Sequence, residues 1–485
     1  MRIASVAAFG VLLSLTWLTA GDRASAQTIT SLGVHPTSGQ PLRPTCVSDA
    51  GAVLSGNVHD GVAIHAFRWT STGGMQDLGI APGATFSLGH GISDDGDTIA
   101  GDEGGGANGG GAFLWTSAGG LQGLGSLGFN TAMITGVSGD GATLVGFGQA
   151  ADGSFHSFLW TSTGGMQLLD PLNLFGDDGQ PVVNEDGTAI AGNYYLGGAF
   201  LWTSSAGMQS LAGLPGHPSS VTADVSADGT AVVGYGYSWT SSTGYTFLEA
   251  VRWTAAGGTQ DLGVLAGDEF SYASGVSGDG SIVVGTSYRI TGGYAARSFL
   301  WTEGTGMVEL APFLSSIGID LTGWDLGDVG GISPDGSALF GLGIHNGAQA
   351  GWVVTDLCTG AWSNYGTGWA GTLGVPGLVA SNVPVIGADV TVSIDNSSPN
   401  ATVGLLLLGF APTSIPTSKG GTLLVATPWI VTPLPLPVGG LDLTDTIPAD
   451  LALCGFEVDL QCLEIDSGAS RRLSFTPGLS LVLGI

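Results

Sequence analysis

The sequence predicts an all-β protein, a seven-bladed β-propeller over residues 27–357 followed by a smaller β-sandwich-like domain over 358–485. Three observations carry that expectation. Two short signatures alternate through the first three quarters of the chain, the runs between them have strand length, and the pattern stops at Cys358.

The first signature is a turn. It reads VSDAGAVLSG at Val47, ISDDGDTIAG at Ile92, VSGDGATLVG at Val137, VNEDGTAIAG at Val183, VSADGTAVVG at Val225, VSGDGSIVVG at Val276 and ISPDGSALFG at Ile332. The second reads AFRWTSTGGMQDL at Ala66, with counterparts at Ala112, Ser157, Ala199, Ala250 and Ser298 and a degenerate copy, GWVVT, at Gly351. Each period of roughly 42 to 56 residues thus offers four apolar or alternating runs separated by turn chemistry, the profile of a four-stranded blade. Asp-Gly suits a two-residue type I′ hairpin, so these aspartates read as turn residues between the first and second strands. In A-F-x-W-T the Phe and Trp share one face of the third strand, and the six tryptophans of the W-T pairs read as core.

The ends of the repeat region predict closure. The seventh copy runs into Cys358 without a fourth strand, while Thr30-Ser31-Leu32-Gly33-Val34 matches Gln260-Asp261-Leu262-Gly263-Val264. The N-terminal segment should therefore supply the missing outer strand and remove an exposed edge.

The connections divide into two sets. Those between strands one and two, and between three and four, are short and uniform. The others are long and irregular: Asp102–Gly111, Tyr235–Glu249, Tyr288–Arg297 and Pro312–Gly330. Function on rigid scaffolds collects on such loops, so this second face is the candidate binding surface. It carries an aromatic group, Tyr235, Tyr237, Trp239, Tyr245 and Phe247, suited to stacking on sugars or proteins. It also carries Asp320, Asp325 and Asp328 beside Trp324, a pattern that suits sugar binding or acid–base work and equally suits a solvated acidic loop.

From Cys358 the turn signatures stop and prolines gather at Pro428, Pro433, Pro435 and Pro437. Strand-like runs such as Val390–Ile394, Leu423–Ala426 and Phe456–Ile465, without helical periodicity, point to a sandwich or jelly roll.

At the start, Arg2 precedes an apolar run from Ile3 to Leu18, and Ala24-Ser25-Ala26 forms a small-residue cleavage site, so residues 1–26 read as a secretory signal. The mature chain is expected outside the cytoplasm: extracellular, at the cell surface or in the periplasm. No membrane span is expected after cleavage, because Val403–Ala411 is too short to cross a bilayer. In an oxidising compartment Cys46, Cys358, Cys454 and Cys462 permit up to two disulfides in three connectivities. Cys454 and Cys462 read as residues of one strand, about 26 Å apart, which disfavours their bridge and favours one from Cys358 into the last strands.

Composition narrows the function classes. With 10 Lys+Arg against 39 Asp+Glu the net charge is −29, and a chain with one lysine lacks the basic surface that nucleic acid demands. At 43% hydrophobic and 10% charged residues it lies far from the disordered regime. The S-x-D-G turns resemble the Asp-box of sialidase-type propellers, but an aliphatic strand follows where that box has an aromatic. The few propeller arginines, Arg43, Arg68, Arg252, Arg289 and Arg297, do not read as a carboxylate clamp. No G-x-S-x-G elbow occurs. No cofactor is expected. Calcium is the one metal with candidate ligands, in Asp94-Asp95-Gly96-Asp97 and Asp177-Asp178-Gly179, although neither has EF-hand spacing.

The paired signatures over residues 29–357 resemble the HAF-repeat family of bacterial extracellular repeat proteins, whose triplet stands intact at His65-Ala66-Phe67 and in part at His156-Ser157-Phe158. Elsewhere Gly111, Gly198, Glu249 and Arg297 hold the histidine's place, which counts against a repeated histidine function. The region from Cys358, with Tyr365-Gly366-Thr367-Gly368 and Pro448-Ala449-Asp450-Leu451, is similar to a C-terminal module of exported proteins from planctomycete-type bacteria. The resemblance implies location and fold rather than chemistry. The expected function is non-catalytic binding of an extracellular glycan or protein by the loop-rich face, with no catalytic residues assigned. A propeller glycosidase or polysaccharide lyase is the alternative, to be separated by whether carboxylates converge in a pocket on the propeller axis.

Overall fold

The computed structural model describes residues 28–106, 109–169, 180–194, 198–217, 219–240, 244–358, 360–427, 430–449 and 453–485, with backbone alone at 105–106, 109, 239–240 and 244–247. The expected signal, residues 1–26, and the acids Asp177 and Asp178 lie outside these residues. The chain divides into two compact units, one of Gln27–Thr302 with Gly306–Leu357, the other containing Cys358–Ile485.

In the first unit the described residues form seven four-stranded antiparallel sheets in a propeller-like arrangement. In chain order they are sheet I (residues 43–77), II (86–125), III (131–168), IV (182–211), V (219–263), VI (270–309) and VII (324–355). Sheets I to VI are simple meanders. Sheet VII takes its outer strand from Thr28–Ser31, which pairs antiparallel with the third strand and sets Thr28 opposite Thr355 and Ser31 opposite Trp352. Thr28–Ser31 thus fills the position of a fourth strand in this sheet.

The third-strand phenylalanines Phe67, Phe113, Phe158, Phe200 and Phe299 are fully buried. Phe67, Phe113, Phe158 and Phe299 belong to clusters that join neighbouring sheets, such as Phe67, Leu54 and Trp69 of sheet I with Phe340 and Val353 of sheet VII. Each such side chain contributes about 1.5–3 kcal/mol of burial. The tryptophans are less uniform than the pattern predicts. Trp69, Trp115, Trp253 and Trp301 are buried, whereas Trp160 and Trp202 are half-buried. Where a cover exists it is specific: the Arg68 guanidinium lies 6.0 Å from the Trp115 ring and Arg252 lies 5.8 Å from Trp301. The Trp253 indole donates to the Ala212 carbonyl at 2.6 Å.

The glycine that ends V-S-x-D-G-x-x-V-x-G has a steric cause. The first strands of sheets I, II, III, V, VI and VII carry a bulge. At the bulge the second strand approaches so closely that a Cβ on Gly101 would stand 1.8 Å from the Leu88 carbonyl oxygen, and one on Gly146 1.9 Å from that of Met133.

The S-x-D-G turns differ from the expected two-residue type I′ hairpin. In sheet V the loop holds four residues, Ala227 to Thr230: Ser226 N–H donates to the Ala231 carbonyl at 2.9 Å, and Gly229 N–H to that of Ser226 at 2.9 Å. Gly229 alone of these four takes a positive φ, 69°. Ser226 Oγ donates to Asp228 at 2.6 Å and accepts the Ala231 N–H at 2.9 Å, while Asp228 accepts the Thr230 N–H at 2.9 Å. These side-chain bonds satisfy the backbone of a longer loop, so the aspartate never needs the left-handed conformation that type I′ requires.

Successive turns are also joined to one another. Asp49 N–H donates to the Asp94 carbonyl, Asp94 to Gly139, Asp140 to Glu185, Asp228 to Gly278 and Gly278 to Pro334. The Asn184 amide donates to Ala227, and Ala50 N–H donates to the Asp335 carboxylate, which links sheet VII back to sheet I.

The long connections prove to be mostly extended strand. Tyr235–Glu249 belongs to a hairpin of Ala231–Thr240 and Gly244–Thr254, and Asp102–Gly111 to one of Thr98–Gly106 and Gly109–Thr116. Pro312–Gly330 contains most of a short helix, Leu310–Ser316, and part of the first strand of sheet VII. Chain that pairs with itself keeps its backbone satisfied away from the core, which is why these excursions continue as ladders.

The second unit has antiparallel sheets of six, three and two strands. Asp389–Ile394, Thr422–Val425 and Glu457–Ile465 occupy the three runs read as strands. Thr402–Gly409, which holds most of the apolar run, lies between two partners in the largest sheet. Among the described residues no helix is long and apolar enough to cross a membrane. Cys358 and Cys454 form a disulfide with 5.6 Å between their Cα atoms, and Cys46 and Cys462 are free. Cys454 precedes the strand that holds Cys462, which begins at Glu457, so the two cysteines do not share one continuous strand.

Candidate functional site

The first strands of all seven sheets line one cavity of about 250 Å³, which places it on the axis of the arrangement. At its turn end stands the variable x of each S-x-D-G, in chain order Asp49, Asp94, Gly139, Glu185, Ala227, Gly278 and Pro334. All of these except Asp49 line the cavity. Asp94 and Glu185 close over Gly139, where an added Cβ would meet Asp94 Oδ2 at 2.1 Å and Glu185 Cγ at 2.7 Å. Burial pushes the Asp94 carboxyl up to about 6, and the charges of Asp49 and Glu185 add to the shift. Asp49 is raised in the same direction, by burial and then by Asp335.

Deeper in the cavity the polar groups have partners. Asp224 is pushed up to about 6 by burial, yet it accepts the N–H groups of Val225 at 2.8 Å and Val276 at 3.0 Å and so ties sheet V to sheet VI. The Cys46 thiol donates to the His90 carbonyl at 2.9 Å, and burial raises it to about 12, the opposite of what a nucleophile needs. His90 Nε2 lies 3.1 Å from Asp102 Oδ2, while Asp102 Oδ1 accepts the Ile134 N–H at 2.8 Å. Among the described residues no three His, Cys, Asp or Glu side chains are grouped to hold a metal ion. At the calcium candidate, Asp95 is engaged by the Ser93 hydroxyl at 2.5 Å and the Asp97 N–H at 2.9 Å.

The opposite end of sheets V and VI carries an aromatic cluster that sequence reading found only in part. Tyr235 and Tyr237 of the second strand of sheet V have ring centroids 6.2 Å apart. Tyr235 then meets Tyr272 of sheet VI at 6.4 Å, Tyr272 meets Tyr288 at 6.3 Å, and Tyr288 stacks on Phe270 at 5.2 Å. Tyr294, in the hairpin after Tyr288, lies 6.2 Å from it and is 75% exposed. The overlooked signal was Phe270 and Tyr272 at alternate positions of a first strand, opposite Tyr288 and Thr286 in register. Trp239 and Tyr245 pair across the sheet V hairpin, and Phe247 faces Ser238; the side chains of Trp239, Tyr245 and Phe247 lie outside the described residues.

The acidic group of sheet VII takes separate partners. Asp320 accepts the Thr322 N–H at 2.9 Å, and Asp325 that of Gly327 at 3.3 Å. Trp324 stacks on His345 at 4.2 Å, nearly parallel. Asp328 instead turns to sheet VI, where the Thr286 hydroxyl lies 3.5 Å away and Tyr272 feels its charge.

No protein-family model and no curated protein matches the chain. Among solved structures it is similar to TolB from Acinetobacter baumannii, at 14% identity and a TM-score of 0.37 over 53% of this chain and 62% of that one, less than two thirds of that protein's length. It is also similar to an oligogalacturonate lyase from Vibrio parahaemolyticus, at 12% identity and a TM-score of 0.46 over 67% of this chain and 93% of that one. An oligogalacturonate lyase in complex with manganese matches at 14% identity and a TM-score of 0.45 over 67% of this chain and 92% of that one.

Proposed function

We propose that the protein is a non-catalytic, exported binding protein of the HAF-repeat kind, whose seven sheets act as the blades of one propeller that presents its long-hairpin end to an extracellular glycan or protein. In this reading residues 358–485 form a sandwich-like domain that serves assembly or attachment. The observation that carries the binding role is the concentration of aromatic rings from Tyr235 to Tyr294 at one end of sheets V and VI, where packing of the repeat does not call for them. The test is a glycan array together with a polysaccharide-degradation screen on the same preparation. Binding without product release is expected. Changing Trp239 and Tyr245 together to Ala should abolish that binding, and changing Ser162 and Thr163 in an opposite-end turn to Ala should leave it intact.

One observation favours the enzyme reading instead. Asp94, raised to about 6, closes with Glu185 over Gly139 at the cavity mouth and feels the charge of Asp49 outside it, a pairing of carboxylates that suits acid–base work on a sugar. That reading predicts turnover of a polysaccharide that Asp94→Asn with Glu185→Gln removes while binding persists. Absence of any product across the screen would rule it out.

A further inference from the structure

The binding reading leaves the ligand's chemistry open, and the cluster itself narrows it. We infer that Tyr288 and Tyr294, backed by Phe270 and Tyr272, form a stacking surface for an uncharged polysaccharide of pyranose rings. The inference rests on the proposed binding role and specifies its ligand.

Rings from two neighbouring sheets make a continuous row, with Tyr235 meeting Tyr272 and Tyr272 meeting Tyr288 at 6.4 and 6.3 Å. Tyr288 is held from below by Phe270, at 5.2 Å and 28° between planes, which limits the entropy lost when a ligand settles on it. The outermost ring, Tyr294, is 75% exposed, and its hairpin is fixed because Glu269 accepts the N–H groups of Ile290 at 3.0 Å and Thr291 at 3.2 Å. Aromatic faces offer apolar area to the C–H faces of a sugar, and phenol hydroxyls at the ring edges offer hydrogen bonds to its hydroxyls. Exposed carboxylates flank the row, Glu269 on one side and Asp328, through Thr286 and Tyr272, on the other, against one exposed cation, Arg289, whose charge acts on Glu269. Carboxylates accept hydrogen bonds from hydroxyl groups and repel anions, and the chain's charge of −29 adds to that repulsion. A polyol without charge satisfies all three features, whereas a uronate polymer conflicts with the third.

The full mature chain would be titrated calorimetrically with cellohexaose, xylohexaose, mannohexaose, laminarihexaose and, as the anionic comparison, hexagalacturonate. At least one neutral hexasaccharide is expected to bind, with affinity insensitive to salt. Tyr288→Ala with Tyr294→Ala should weaken it roughly tenfold or more, and Tyr288→Phe with Tyr294→Phe should stay within about twofold. Thermal melting of each variant reports folding, and Tyr294→Ala alone serves if the pair melts early. Preference for hexagalacturonate, no binding of any neutral probe, or unchanged affinity in the alanine variants would overturn the inference. If binding ignores these tyrosines but is lost in the Trp239 and Tyr245 pair, the binding role stands and the tyrosine surface falls. Loss confined to the Ser162 and Thr163 pair overturns both.

Discussion

The two ends of the propeller-like unit are built on opposite principles. At the turn end, copies of one turn repeat a single wiring of serine or asparagine to aspartate, and each turn bonds to the next, from Asp49 to Asp94 through to Ala50 and Asp335. At the other end the sheets diverge: sheet V extends a hairpin to Thr240, sheet VI raises Tyr294, and sheet VII is preceded by the helix Leu310–Ser316. Repetition is affordable only where every copy meets the same neighbours, and that holds for the turns. The hairpins meet solvent, so their sequences are released to vary, and aromatic residues accumulate in two adjacent sheets rather than in all.

Within the turn end a finer contrast appears between adjacent residues. The aspartate of S-x-D-G is held below the ordinary carboxylate range where its bonds dominate: the Ser93 hydroxyl and then the Asp97 N–H lower Asp95, and the Thr188 hydroxyl and N–H lower Asp186. The x position faces the cavity in every sheet but the first, and burial raises Asp94 there, as it does Asp49 outside it. In the turn of sheet II one residue of displacement, from Asp94 to Asp95, thus reverses the direction of the shift.

If the buried repeat core holds the sheets together and the hairpin end only displays residues, the largest effect of a substitution should come from the third-strand aromatics. Phe158 is fully buried in a cluster with Ala112, Ile134 and Leu144 from sheets II and III. Phe158→Ala should cost about 3–5 kcal/mol in chemical denaturation. Tyr294→Ala, at a position 75% exposed, should cost at most about 0.5 kcal/mol. Comparable losses at the two sites would dissolve the distinction between a structural interior and a display end.

A smaller effect should come from the turn wiring. Ser226→Ala removes the acceptor of the buried Ala231 N–H and the donor to Asp228, leaving a buried donor without its partner. A loss of about 1–3 kcal/mol is expected. Ser226→Asn should recover part of it, because Asn184 makes the equivalent bond to the Ala189 N–H at 2.8 Å in sheet IV. Full stability in the alanine variant would show that the backbone holds the turn unaided.

The strand order and the supply of the outer strand by the N-terminus were legible in the sequence because both depend on local signatures, and Thr28–Ser31 occupies the register that the match to Gln260–Val264 implies. Turn type was not legible. The dipeptide Asp-Gly is shared by two-residue and four-residue loops, and the serine two positions before the aspartate decides between them. The acidic mouth was missed because x looks like a filler residue along the chain. Only the propeller-like arrangement brings Asp94 and Glu185 to one cavity, within reach of the charge of Asp49. The sequence shows half of the tyrosine row, since Tyr235 and Tyr237 read as loop residues while Phe270, Tyr272 and Tyr288 come from strands of the adjacent sheet, a neighbour that no local pattern reveals. Asp328 belongs with them rather than with Asp320 for the same reason.

The contrast between neighbouring turn residues sets the smallest and most specific expectation, a pH dependence. Asp94 is raised in the folded chain from an ordinary 3.8 to about 6, so its ionisation opposes folding. Below about pH 4 it is protonated in both the folded and unfolded chain and contributes nothing. As pH rises through about 6 it loses its proton in the fold as well, and its full penalty is then present. The lowered aspartates act in reverse. Their contribution is present at neutral pH and is lost as pH falls through their folded values, so the stability of the wild-type chain mixes two slopes. Subtraction separates them. Denaturation of wild type and Asp94→Asn at matched pH should show equal stability near pH 3.5 and a gain for the variant that grows between about pH 4 and 6 and then levels. A gain that shrinks with rising pH, or a difference that ignores pH, would mean that neither burial nor the neighbouring charges of Asp49 and Glu185 raise Asp94, and the two residues of the turn would no longer divide into a wired position and a crowded one.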